Sequence, residues 1–214
     1  MKNIKFLGAI LISVGIIASC NKKDDAGTIV PLEAKTAANI LGDTIIGLDA
    51  MGRPYGSGRY TFFSLENNSV ISNSDSATNK WDIAFRGTTI ITNSGNSGPA
   101  NGGGFVYTGT FESLSSIPGD STIRIDNAPS AYAITSGSGK GWYTYNPVAN
   151  LITPIPGRIL VIRTATGKYA KVEILNYYKN GVTPAATESD DIKLRNQRYY
   201  KFRFIYQANG TKAF

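Results

Sequence analysis

The feature that constrains the fold most is an alternation of aromatic and basic residues near the C-terminus. Residues 198–206 read RYYKFRFIY, which places Tyr200, Phe202, Phe204 and Tyr206 on one face of an extended chain. Side chains of a β-strand point to opposite faces in turn, whereas those of a helix share a face about every 3.6 residues. This period of two therefore predicts a half-buried strand.

Other segments predict further strands separated by turns. Residues 158–164 are apolar on both faces, which predicts an interior strand, and a turn at 166–168 leads into another strand at 169–178. The 23 glycines and 9 prolines punctuate the chain about every eight to twelve residues, as in sandwiches and barrels. The remaining strands are predicted at residues 43–48, 59–65, 81–86, 88–92 and 104–111. A short helix with poor capping is predicted near residues 187–195, and the predicted fold class is an all-β antiparallel sandwich.

The N-terminus has the features of a lipoprotein signal sequence. Lys2 and Lys5 precede an apolar stretch, residues 6–18, that is too short to span a bilayer as a stable helix. The stretch leads through Ser19 to Cys20, the only cysteine of the chain, and so resembles the bacterial lipobox. We therefore predict a signal peptide over residues 1–19 and acylation of Cys20, which would attach the protein to a membrane.

The residues after Cys20 resemble a surface-export signal. Asn-Lys-Lys-Asp-Asp follows the cysteine and is similar to the signal by which Bacteroidetes lipoproteins reach the outside of the outer membrane. A charged run is also typical of a solvated tether. We predict a lipidated tether at residues 20–27 and a single β domain over residues 28–214. The expected location is the bacterial outer membrane, with the domain exposed at the cell surface.

The chemistry available to the chain indicates a binding protein and not an enzyme. The absence of histidine excludes Ser-His and Cys-His nucleophilic catalysis, and a single cysteine forms no disulfide within the chain. Most acidic residues fall at turns or on polar strand faces, although a glycosidase-type carboxylate pair leaves no spacing rule and stays open. Without the signal peptide, 20 basic residues face 15 acidic ones, and their scattered positions do not predict a nucleic-acid partner.

A glycine-rich segment at residues 95–104 allows two interpretations. It holds five glycines in ten residues, as a ligand-binding loop with a bare backbone would. It lacks the spacing of dinucleotide and phosphate loops, and no helix is predicted after it. A flexible connection between two strands is therefore the favoured interpretation.

Three segments of the sequence form a distinctive set. These are the tryptophan-aspartate strand at 81–86 with the glycine-rich loop after it, the glycine-tryptophan strand at 141–147, and a hairpin with the Ala-Lys-Val run at 170–172. Together they resemble the HmuY family of Bacteroidetes haemophores. The resemblance covers most of residues 80–178, the lipobox and the aromatic C-terminal strand. It implies an all-β fold that grips haem between loops at one end of its sheets, and a role in iron and haem acquisition.

The chain departs from the axial-ligand pattern that the resemblance implies. Family members hold iron through two histidines or through methionines, and this chain has no histidine. Asn146 stands where the family pattern has a histidine, and the segment that supplies the other ligand, around residues 129–139, is shorter. Met51, the only methionine after the signal peptide, lies far upstream of both segments.

Two groups of hypotheses follow from this departure. The first keeps haem or a related tetrapyrrole, with a tyrosine as phenolate or stacking face and a basic side chain paired with the propionates. The candidate binding residues are Tyr132, Tyr143, Tyr145, Asn146, Arg86 and Lys140. The implied partners are outer-membrane lipid and a TonB-dependent haem receptor. The second group keeps the scaffold for a glycan, a peptide or a metal-free porphyrin, or for an accessory role beside a receptor.

Overall fold

The computed structural model describes residues 32–214, in which β-strands dominate. The predicted signal peptide, Cys20, the tether and the domain start at residue 28 lie outside the described residues. The described part contains one α-helix, α1 (Asp190–Asn196), and thirteen strands. In chain order these strands are β1 (Lys35–Leu41), β2 (Ile45–Leu48), β3 (Pro54–Gly56), β4 (Thr61–Ser64), β5 (Ser69–Ile71), β6 (Ile83–Arg86), β7 (Thr89–Thr92), β8 (Gly103–Thr108), β9 (Tyr143–Asn146), β10 (Leu151–Pro154), β11 (Arg158–Arg163), β12 (Tyr169–Tyr178) and β13 (Gln197–Gln207).

Two antiparallel sheets face each other across an aromatic core. The larger sheet has the strand order β1-β13-β12-β11-β8, and the smaller has the order β5-β4-β6-β7. The rings of Phe202 and Phe204 on β13 lie 5.2 and 6.3 Å from the ring of Phe63 on the smaller sheet. On the same face of β13, the ring of Tyr200 lies 4.4 Å from that of Phe85. The alternation in the sequence thus supplies one layer of the core, and the predicted all-β sandwich is confirmed.

Strand β11 is apolar on both faces because both of its faces are covered. Leu160 and Ile162 belong to the core between the sheets, whereas Ile159 and Val161 pack under an outer layer that includes Phe111. Hydrogen-bonded neighbours on either side, β12 and β8, make it an interior strand. The prediction of an interior strand at residues 158–164 is confirmed.

Nine of the thirteen strands lie where the sequence indicates a strand. The eight strands predicted from residue patterns correspond to β2, β4, β6, β7, β8, β11, β12 and β13, and the glycine-tryptophan strand at 141–147 corresponds to β9, whereas β1, β3, β5 and β10 were not predicted. The helix near the predicted position is α1, but the expected poor capping is wrong. The hydroxyl oxygen of Ser189 accepts a hydrogen bond from the backbone N–H of Ile192, and two aspartates occupy the first turn.

The glycine-rich segment is a tightly packed connection between β7 and β8. A Cβ atom on Gly95 would lie 1.8 Å from the carbonyl oxygen of Asp126, and one on Gly98 would lie 2.2 Å from Oδ1 of Asn93. These distances are too short for any side chain, so glycine is required where the backbone closely approaches the Asp126 backbone and the Asn93 side chain. The prediction of a connection between two strands is confirmed. The expected flexibility is wrong, because the segment is tightly packed.

Two hairpins and the helix collect at one end of the sandwich. Leu41 at the end of β1 pairs with Tyr199 near the start of β13, so that β2–β3 follows β1 where α1 precedes β13. The hairpin β9–β10 joins them because the backbone N–H of Ile152 donates to the hydroxyl of Tyr178, which pairs with Gln197. Each hairpin forms its own two-stranded sheet, outside both large sheets.

Candidate functional site

The two hairpins and α1 enclose a cavity of about 710 Å³, here called the end cleft. This volume lies within the range of about 300–1,000 Å³ that is usual for small-molecule and cofactor sites. The hairpin β2–β3 forms one wall, β9–β10 forms the opposite wall, and α1 contributes Asp190 and Leu194. Its lining includes Leu48, Met51, Arg53, Tyr145, Val148 and Ile152.

The apolar side chains around the end cleft are unusually exposed. Val148 is 96% exposed, Met51 78%, Leu48 51% and Tyr145 42%. Single exposed apolar residues are ordinary on protein surfaces, whereas several around one cavity mark a binding site. The end cleft is therefore the candidate functional site.

The turn between β2 and β3 places Met51 and Arg53 at the cleft. Oδ1 of Asp49 accepts hydrogen bonds from the backbone N–H groups of Met51 (2.9 Å) and Arg53 (2.8 Å). Nε of Arg53 donates to Oδ2 of the same carboxylate at 2.8 Å, and Gly52 has a left-handed φ of 75°. These contacts, the backbone hydrogen bond from Arg53 foremost, hold the pKa of Asp49 below its usual value. The turn thus presents a thioether and a guanidinium on one side of the cavity.

The opposite wall presents Tyr145 and Val148. The hydroxyl of Tyr145 donates to Oδ1 of Asn150 at 3.1 Å, and its backbone N–H donates to Oγ of Ser138 at 2.8 Å. Oδ1 of Asn146 accepts from the backbone N–H groups of Val148 (3.0 Å) and Ala149 (3.1 Å). Asn146 therefore closes the β9–β10 turn that carries Val148 to the cleft, as asparagine commonly does in turns.

Two more candidates, Tyr143 and Lys140, lie near this wall but not in the cleft lining. The hydroxyl of Tyr143 accepts a hydrogen bond from Oγ1 of Thr88 at 3.2 Å, and its ring lies 5.0 Å from that of Trp142. Tyr143 is half-buried and packs against the core between the sheets. Lys140 is exposed in the turn that precedes β9.

The remaining candidates, Arg86 and Tyr132, belong to a different surface, the outer face of the smaller sheet. The guanidinium carbon of Arg86 lies 4.4 Å from the ring centroid of Tyr60. Tyr132 packs on a cluster that contains Phe62 and Trp81. Burial raises the pKa of Tyr60 to about 12, so its phenol stays protonated at physiological pH. The structure thus divides the six candidates, and of these six Tyr145 alone lines the end cleft.

Sequence reasoning missed Met51 and Arg53 as cleft residues. Their distance along the chain from Tyr145 concealed that β2–β3 and β9–β10 face each other. The sequence did carry a local signal for Met51. It is a large apolar residue between Asp49 and Gly52, in a turn where it has no core to fill.

The base of hairpin β2–β3 is fixed by a buried carboxylate. Asp43 accepts hydrogen bonds from the N–H groups of Thr44 (2.8 Å), Ser57 (3.0 Å) and Gly58 (3.1 Å) and from the Ser57 hydroxyl (2.5 Å). Nη1 of Arg198 lies 3.8 Å from its Oδ2. Burial raises the pKa of Asp43, but the hydrogen bonds from Ser57, Gly58 and Thr44 outweigh it and hold that pKa below its usual value.

A second cavity of about 440 Å³, here called the rear cavity, lies against the same hairpin. Leu41, Ile45 and Tyr199 line it, and it shares Leu48 and Leu194 with the end cleft. The hairpin β2–β3 therefore borders two cavities, the end cleft and the rear cavity.

The donor atoms at the end cleft include the thioether of Met51, the phenol of Tyr145 and the carboxylate of Asp190. Within residues 32–214, no group of three or more His, Cys, Asp or Glu side chains could hold a metal ion. No helix in this range has the length and apolar character needed to cross a membrane. An apolar ligand that carries a metal ion could contact the walls through Leu48, Val148 and Ile152, and its metal could be held by Met51, Tyr145 or Asp190.

Comparison with known proteins gives one family and several similar structures. A family model described as HmuY protein matches residues 58–188. An HmuY-like heme binding protein of Bacteroides vulgatus is 17% identical, with a TM-score of 0.46 over 81% of this chain and 91% of that one. An apo HmuY analogue of Tannerella forsythia is 15% identical, with a TM-score of 0.42 over 83% and 96%. A lipoprotein of Bacteroides fragilis is 15% identical, with a TM-score of 0.40 over 69% and 82%. No curated protein matches the sequence.

Proposed function

Because the chain belongs to the HmuY family, we propose that its end cleft binds haem or a related tetrapyrrole for haem acquisition at the cell envelope. The observation that carries the proposal is a cavity of about 710 Å³ between two hairpins, with exposed apolar side chains on both walls. A flat macrocycle with apolar faces would remove these side chains from water. This burial would contribute roughly 25 cal/mol to the binding free energy per Å² of apolar area. The solved structure from Bacteroides vulgatus, described as a heme binding protein, is consistent with this class of ligand.

Met51 and Tyr145 are the side chains best placed to contact the metal. Haem, when bound, would supply an iron that takes thioether or phenolate ligands, and Met51 and Tyr145 are the residues that would hold it. Met51 is 78% exposed, so turning it to a ligand costs no core packing. The hydroxyl of Tyr145 donates a hydrogen bond to Oδ1 of Asn150, which orients the phenol oxygen; ligation as a phenolate would require loss of this proton.

Arg53 is the cleft residue best suited to the ligand's carboxylates. Its guanidinium is already paired with Asp49 at 2.8 Å, on a side chain that is 70% exposed. Exposed ion pairs contribute only about 0–1 kcal/mol, so exchange of Asp49 for a propionate costs little. The earlier candidates Arg86 and Lys140 lie outside the cleft lining, and their role stays a prediction.

The predictions made from Cys20 and the residues after it extend the proposal from the cleft to the cell envelope. Lipid attachment, exposure on the outer membrane and transfer to a TonB-dependent receptor are parts of the proposal, as is a role in binding and not in catalysis.

Titration of haemin, followed by the Soret absorbance, tests the proposal. The protein is the mature chain, residues 20–214, with Cys20→Ser to prevent lipidation. We expect haemin to bind saturably to this protein. We expect the Soret band of the complex to change when Met51→Leu or Tyr145→Phe is introduced. The matched control is Tyr55→Phe, an exposed tyrosine on the same hairpin that does not line the cleft.

The outcomes separate the ligand classes. A Soret band that neither Met51→Leu nor Tyr145→Phe alters would contradict axial ligation by these residues. Equal affinity for haemin and metal-free protoporphyrin would indicate that the macrocycle, and not the iron, is recognised. If neither compound binds saturably to the folded chain, the haem proposal is wrong.

A further inference from the structure

Residues 43–58, here called the lid hairpin, comprise β2, β3 and the two joints that connect them to the sandwich. Resting on the proposed function of the end cleft, we propose that the lid hairpin is a hinged lid that closes over the bound ligand. Most of the lid hairpin, and with it Met51, lies outside residues 58–188 that the family model matches. The inference therefore concerns a part of the chain that the family match does not describe.

The two joints of the lid hairpin have the backbone of a hinge. Asp43 has a φ of 77° and Gly58 a φ of 78°, both in the left-handed region. A Cβ on Gly58 would meet nothing within 4 Å, so open space lies on that side of the joint. The carboxylate of Asp43 accepts from the N–H groups of Thr44 and Gly58 and so ties the two joints together. The hairpin is fixed at its base as a unit.

The body of the lid hairpin is held to the sandwich by little. β2 and β3 pair only with each other, in a two-stranded sheet. Among the hydrogen bonds of residues 32–214, residues 45–56 share one with the rest of the fold, from Nη2 of Arg198 to the carbonyl oxygen of Pro54 at 3.3 Å. One long hydrogen bond is a weak tether, which the contacts of a bound ligand could outweigh.

The lid hairpin also borders open space, and it exposes apolar surface that closure would bury. The end cleft lies on the side of Met51, and the rear cavity borders Ile45 and Ile46. Ile46 is 62% exposed and Tyr55 51% exposed, in addition to the exposed cleft residues Leu48 and Met51. A two-stranded ribbon with this much exposed apolar surface is marginally stable by itself. Closure onto a flat apolar ligand would bury part of that surface.

Residue-resolved hydrogen exchange with and without saturating haemin tests the lid, on the mature chain with Cys20→Ser. Direct contact with the ligand protects only the cleft-lining amides, from Leu48 to Arg53. Closure also slows the exchange of Ile46, Gly47 and Tyr55, which do not line the cleft. We expect at least a tenfold slowing at these three amides, and no change in β4.

The outcomes of the exchange experiment separate the lid from the binding site. Saturable haemin binding with protection confined to residues 48–53 would overturn the lid and keep the binding site. Absence of saturable binding would overturn both.

Discussion

Lys171 offers a strong test of how the outer layer of the sandwich is held. It is the lysine of the Ala-Lys-Val run on β12, and it is only 4% exposed. Its ammonium donates to the carbonyl oxygens of Phe111 (2.7 Å) and Leu114 (2.8 Å) and lies 4.6 Å from the Phe111 ring centroid. Burial lowers the pKa of Lys171. The lysine therefore fastens the loop after β8 to the face of the larger sheet.

Substitution of Lys171 by methionine removes these contacts and keeps most of the volume. Two carbonyl groups would lose their charged partner, which costs about 1–3 kcal/mol each. Part of this loss is offset, because the variant no longer has to bury an ammonium group. We expect a net loss of about 3 kcal/mol in the free energy of unfolding. With a urea m-value of about 2 kcal/mol per M, the unfolding midpoint falls by about 1.5 M.

The matched control is Lys140→Met, an exposed lysine whose substitution should change stability by less than about 0.5 kcal/mol. Urea unfolding followed by tryptophan fluorescence measures all three proteins. If Lys171→Met unfolds at the wild-type urea concentration or above it, desolvation cancels the hydrogen bonds, and the fastening role of Lys171 is refuted.

Three further substitutions test other parts of the fold by urea unfolding. Trp142→Phe removes the hydrogen bond from its indole N–H to the carbonyl of Thr88 (3.0 Å) and should lower the free energy of unfolding by about 2 kcal/mol. An unchanged free energy of unfolding would contradict a stabilising role of this hydrogen bond. Asn146→Ala should cost about 1 kcal/mol by opening the β9–β10 turn and should also weaken haemin binding. Asp126→Asn should cost about 3 kcal/mol, because its carboxylate accepts from two buried N–H groups. Since burial raises the pKa of Asp126, the folded state takes up its proton first as the pH falls. The wild-type advantage over the asparagine variant should therefore grow on acidification from neutral pH to about 4, and a constant difference would contradict the buried environment.

Much of the fold could be predicted because its long strands carry their pattern locally. The alternation in β13 and the two-sided apolar run of β11 each follow from how many faces of the strand are covered. Two of the strands that were missed, β1 and β5, lack this signal: β1 has one buried residue, Ala37, and β5 has none in three positions. Their pairing depends on the neighbour that they find, which a local pattern does not encode.

The candidate site was less predictable because it joins hairpins that are distant in sequence. Tyr145 was among the candidates, since an aromatic residue in an exposed strand is a local feature. Met51 and Arg53 enter the cleft only because β1 and β13 bring β2–β3 to the same end as β9–β10. Arg86 was a candidate by charge, yet the parity of β6 turns it to the outer face of the smaller sheet, where it covers Tyr60.

The affinity of haemin for a matched pair of variants tests most directly whether the end cleft is the binding site. Val148→Asp places a charge on the apolar wall of the cleft, at a residue that is 96% exposed and so not needed for folding. Val182→Asp places the same charge at another exposed valine, which does not line the cleft. We predict that Val148→Asp weakens haemin binding at least tenfold, about 1.4 kcal/mol, while Val182→Asp binds as the wild type does. Equal affinities for the two variants would contradict the assignment of the end cleft as the haem site.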